Sequence, residues 1–235
     1  MRTCFLVTSS LLTLLTGLSP AAAEIPSITV GTFPQEVRRE FSVSDGLPVN
    51  AITSIAVLDG KTVLAGTVNG LARFAYDHWT IVKGTVGEPV EALAASGTTA
   101  VFALNGRLLA LQGDRISLLV PLPPGLKVNG ITLGEPIYLA TDHGLFEYAG
   151  GALKPVAALN DLLEGNSAVF QVVNRSRVVI GAAAGLFQNS ADGKWTRLFP
   201  ADKSGRSWAP ISVRGVAYDT RGRLWFASSQ EGSSL

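Results

Sequence analysis

The chain has 235 residues, 47% of them hydrophobic and only 16% charged, with a formal net charge of +1. With 19 basic residues against 18 acidic ones, it has no electrostatic footprint for nucleic acid or an anionic membrane surface. A lone cysteine, Cys4, excludes an internal disulfide framework, and 25 glycines point to many tight turns.

The first element is not part of a fold. Arg2 is the only charge before Glu24, residues 4–18 are apolar or small, and Pro20 precedes Ala21-Ala22-Ala23. A positive start, a short apolar run and a small-residue site describe a secretory signal peptide over 1–23, cleaved after Ala23. The protein is therefore expected to be periplasmic or secreted. The competing reading is a membrane anchor, but the apolar run is short of the roughly 20 residues that a bilayer requires. No later segment reaches that length, so no membrane segment is expected after signal removal. Processing would take Met1, Arg2 and Cys4 away, leaving 18 basic residues against 18 acidic ones and no thiol.

REFSV at 39–43 resembles the outer segments of later units and is read as a closing strand. A repeat then begins. VLAGTVNGLARF at 63–74, IYLATDHGLFEY at 137–148 and VVIGAAAGLFQN at 178–189 share a plan: an apolar strand, a small pair, two variable residues, then Gly-Leu and a second strand. VFALNGRLLAL at 101–111 is a weaker copy with a shortened turn. A strand precedes each hairpin, as in SIAVLDGKTVLAG at 54–66, VFQVVNRSRVVIG at 169–181 and GVAYDTRGRLWFA at 215–227. An outer segment follows, as in HWTIVKG at 78–84, RISLLVP at 115–121 and KWTRLFP at 194–200. The turn glycines Gly70, Gly106, Gly144 and Gly185 are 36, 38 and 41 residues apart.

Four short strands in about 40 residues is the period of a β-propeller blade. The sequence predicts an all-β fold, a β-propeller of four-stranded blades over 24–235. The blades fall at approximately 46–85, 86–124, 125–166 and 167–210, with a partial one at 211–235. Four and a half blades and one closing strand read as the N-terminal part of a longer, seven-bladed ring, which at this period needs about 100 further residues.

Residues 44–74, SDGLPVNAITSIAVLDGKTVLAGTVNGLARF, resemble the two-component regulator propeller repeat. Gly46, Leu47, Pro48 and Asn50 match its opening, Gly66-Thr67 its middle, and Gly70, Leu71 and Arg73 its close. DTRGRLWFAS at 219–228 resembles the same phrase with Trp225 in place of Leu64, and GLKVNGIT at 125–132 puts Asn129 in the place of Asn50. The resemblance covers about 40–235 and is weakest in the second blade, where Asn105-Gly106 replaces the Gly-Leu turn. It implies a periplasmic ligand-sensing domain of a membrane histidine kinase or related regulator, with a small-molecule or carbohydrate ligand and possible pairing in a receptor dimer.

Reactive chemistry is sparse. His78 and His143 fall at hairpin turns of different blades and read as solvated turn residues. The Asp-Gly pairs at 45–46, 59–60 and 192–193 lack the alternating acidic ligands of a calcium loop. GKT at 60–62 has Ile55 where the first glycine of a phosphate loop should stand. No catalytic residue, metal site or cofactor is predicted, and the chain is not expected to be an enzyme. Trp79, Trp195 and Trp225 are assigned to packing between blades. Ligand candidates begin the innermost strands at the propeller face: Asn50, Glu91, Asn129 and Arg214, with Trp208 in the connection after the fourth blade. For the asparagines the competing role is backbone capping, and for Arg214 it is a pairing with a carboxylate. The alternatives to a sensor are a secreted scaffold for protein–protein binding and a polysaccharide-acting propeller enzyme.

Overall fold

Runs of four to seven residues with alternating apolar positions, separated by Asp-Gly, Asn-Gly or Gly-containing turns, cannot form helices and pair locally instead. The computed structural model describes residues 39–163, 165–201 and 203–228, so the expected signal peptide and its cleavage site lie outside the described residues. The first sheet contains β1 (Ile52–Leu58), β2 (Thr62–Thr67), β3 (Gly70–Ala75) and β4 (His78–Ile81). The second has β5 (Val90–Ser96), β6 (Thr99–Leu104), β7 (Arg107–Gln112) and β8 (Arg115–Pro121). The third has β9 (Val128–Thr132), β10 (Ile137–Thr141), β11 (Gly144–Ala149) and β12 (Ala152–Pro155). The fourth has β13 (Val169–Asn174), β14 (Val178–Ala182), β15 (Gly185–Asn189) and β16 (Trp195–Arg197), and β17 (Val213–Tyr218) pairs with β18 (Leu224–Ser228). Each sheet is an antiparallel meander in sequence order. One short helix, α1 (Ala157–Asn160), lies in the connection after the third sheet.

The first strands of successive sheets are neighbours: β1 beside β5, β5 beside β9, β9 beside β13, and β13 beside β17. Sheets therefore stack face to face around the line of first strands. Leu64, Leu71, Val90, Phe102 and Leu111 fill the first interface, and Ala103, Leu108, Val128 and Leu139 the second. Leu145, Val169, Ile180 and Phe187 fill the third, and Val179, Leu186, Val213 and Val216 the fourth. Each fully buried Leu, Ile or Phe contributes about 1.5–3 kcal/mol, so the interfaces, not the individual sheets, hold the fold together.

The small pair of the repeat has a packing cause. A Cβ on Gly66 would stand 2.7 Å from Cγ1 of Val90, and one on Gly181 would stand 2.6 Å from the carbonyl oxygen of Val213. Both glycines lie on second strands where the first strand of the next sheet crosses, so a side chain would push the sheets apart. The second sheet turns differently. Asn105 and Gly106 take φ of 45° and 71°, which close a two-residue hairpin without the Gly-Leu step.

Two expectations concern packing against sheets that are not among the described residues. Residues 39–42 form no strand, and Val43–Asp45 is a 3-10 turn whose Ser42 N–H donates to the Asp45 carboxylate at 2.8 Å. A closing strand needs an edge to pair with, and no strand among the described residues lies beside 39–43. Instead Phe41 packs its ring 5.1 Å from Phe74 and 5.9 Å from Trp79. Trp195 is buried between the third and fourth sheets, whereas Trp79 is buried on the outer face of the first sheet against Phe41 and Leu47. Trp225 is 59% exposed on a face of β18 that no sheet among the described residues covers.

Candidate functional site

In these meanders the connections between sheets and the turns between second and third strands share one end of the stack, called here the upper end. The remaining turns define the lower end. The upper end starts from a regular fault. Near its beginning each first strand slips register by one residue: between Ile52 and Ser54, Val90 and Ala92, Val128 and Gly130, Val169 and Gln171, and Val213 and Gly215. The inserted residues are Thr53, Glu91, Asn129, Phe170 and Arg214.

A bulge leaves ladder groups unpaired and re-aims its side chain. Here the side chain of one bulge serves the next strand. Thr53 Oγ1 donates to the Val90 carbonyl at 2.7 Å, Glu91 Oε2 accepts from the Val128 N–H at 2.8 Å, and Asn129 Nδ2 donates to the Val169 carbonyl at 2.9 Å. At the fourth step the pattern changes. Phe170 offers no hydrogen bond, and the Arg214 guanidinium stands 4.7 Å over its ring.

The five predicted residues therefore separate. Glu91, Asn129 and Arg214 occupy equivalent bulges. Asn50 does not: it precedes β1, and its Oδ1 accepts from the Val43 N–H at 2.9 Å. The residue equivalent to Asn129 in the first sheet is Thr53, so the placing of Asn129 on Asn50 is corrected by the register. Trp208 lies in the connection after β16, with its ring 5.7 Å from that of Phe226. Glu91 and Asn129 have polar atoms engaged with the neighbouring backbone, whereas Arg214 is exposed. Sequence reading missed Thr53 and Phe170. The signal available was the apolar residue opening each first strand, followed by the bulged one: VEA at 90–92, VNG at 128–130, VFQ at 169–171 and VRG at 213–215.

Charged groups flank these bulges. The Asn105 amide and the Arg107 guanidinium, both donating to Glu88, hold its carboxyl below the usual range. Burial pushes Asp142 up, but hydrogen bonds from His143 and the Lys127 N–H outweigh it, and the carboxyl lies below its ordinary value. His143 Nδ1 is 2.9 Å from that carboxylate and mostly exposed. Such a rim can present fixed donors, a stacked cation and an aromatic face to a solute. Among the described residues no group of three or more His, Cys, Asp or Glu is arranged to hold a metal ion.

No family model and no curated protein matches the chain. Solved structures do. The extracellular domain assigned to hybrid two component system BT3049 from B. thetaiotaomicron matches with a TM-score of 0.60 at 18% identity, over 82% of this chain and 29% of that one. That of the one component system BT4673 from the same organism matches with a TM-score of 0.53 at 15% identity, over 80% of this chain and 34% of that one. Virginiamycin B lyase from Staphylococcus aureus matches with a TM-score of 0.51 at 13% identity, over 76% of this chain and 70% of that one.

The fold is a β-propeller. The chain spans about a third of the length of the two B. thetaiotaomicron domains. The same propeller architecture carries both extracellular domains of one- and two-component systems and a lyase, so the fold alone does not choose between binding and catalysis. No helix among the described residues is long and apolar enough to cross a membrane.

Proposed function

We propose that the chain is the ligand-binding propeller of an extracellular or periplasmic receptor of the two-component regulator propeller type, with its ligand held at the upper end. The observation that carries the site is the exposed Arg214 guanidinium stacked 4.7 Å over Phe170, where the equivalent polar side chains are spent on their neighbours. Glu91 and Asn129, at the equivalent bulges of the second and third sheets, are assigned to the same end, and Asn50 and Trp208 are kept as proposed further ligand contacts. Stacking on an aromatic ring orients the fork of Arg and leaves its outer N–H groups for a carboxylate or sugar hydroxyls. The resemblance of residues 44–74 to the regulator repeat and the extracellular two-component domains among similar structures support the receptor role.

The test is calorimetric titration of a panel of neutral and uronic-acid oligosaccharides. At least one is expected to bind, and Arg214→Ala should weaken it by about 1.5–3 kcal/mol, the value of a charged hydrogen bond, without lowering the melting temperature. Unchanged affinity would remove Arg214 from the site. For export, residues 1–23 are proposed to be cleaved, and mass spectrometry of the exported protein should find Glu24 at its N-terminus. An intact Met1 on membrane-bound protein would favour the anchor. The two apolar end faces are proposed to be covered by further blades in a larger ring.

A further inference from the structure

We draw no further inference here: the strongest candidate, the apolar depression of about 400 Å³ beside Trp225 and Phe226 on the β17–β18 pair, lies on the end face already proposed to be covered by further blades, and nothing in the structure shows another occupant.

Discussion

Asp219 illustrates how much one turn carboxylate can organise. It accepts from the Trp225 indole Nε1–H at 3.1 Å, from the Arg221 and Arg223 N–H groups at 2.9 and 2.8 Å, and from Arg223 Nε at 2.6 Å. The indole bond comes first among the causes that hold its carboxyl below the ordinary 3.8, ahead of an opposing contribution from burial. All these donors favour the charged form. Because the folded-state value is depressed, the stabilisation is complete above the ordinary carboxylate range and disappears as pH falls through the lowered value. The Trp225 indole proton should therefore titrate in NMR spectra with a midpoint below 3.8, and Trp225→Phe should raise the Asp219 midpoint toward it. A midpoint at or above 3.8 would show that the turn does not hold its carboxylate as described.

At the scale of elements, the joint between sheets is where sequence is least free. The bulge of one first strand supplies a partner for the next, and a second-strand glycine lets that strand approach. Gly181→Val would direct its Cβ at the Val213 carbonyl, a backbone atom that cannot rotate away. Overpacking of this kind costs about 1–3 kcal/mol, and in a domain this size each kcal/mol lowers Tm by about 2–4 °C. Calorimetric melting should show that fall, while Gly193→Ala, at an exposed turn where a Cβ meets nothing, should lower Tm less through its φ of 80° alone. Equal losses at the two positions would mean that the crossing at Gly181 is looser than its geometry.

For the whole molecule, the deciding feature is two apolar end faces. Ile55 and Val57 on β1 are 66% and 54% exposed, and Trp225 on β18 is 59% exposed. Phe41 and Leu47 cover only the outer part of the first sheet, against Ala65, Ala72 and Trp79. Contiguous apolar faces and bare strand edges drive association. Analytical ultracentrifugation should find the chain self-associating with concentration, and Ile55→Lys combined with Trp225→Lys should shift it toward monomer. A monodisperse wild-type monomer at every concentration would show that these faces are quenched in another way, and would weaken the proposal that further blades cover them.

The sequence by itself determined the strands, their turns and their grouping, because period-two alternation, the Gly-Leu turns and a repeat near 40 residues are local signals that each residue carries alone. Gly66 and Gly181 were legible as a recurring small position, though not the Val90 and Val213 that require them. Tertiary structure decided what depends on a neighbour. REFSV has strand character and no strand to join, so it ends in a capped turn beside Phe74 and Trp79. Asn50 and Asn129 look alike in the repeat, yet a one-residue bulge puts Thr53, not Asn50, in register with Asn129. Phe170 gave no polar signal and becomes part of the candidate site only because Arg214, 44 residues later, is laid over its ring by the next strand.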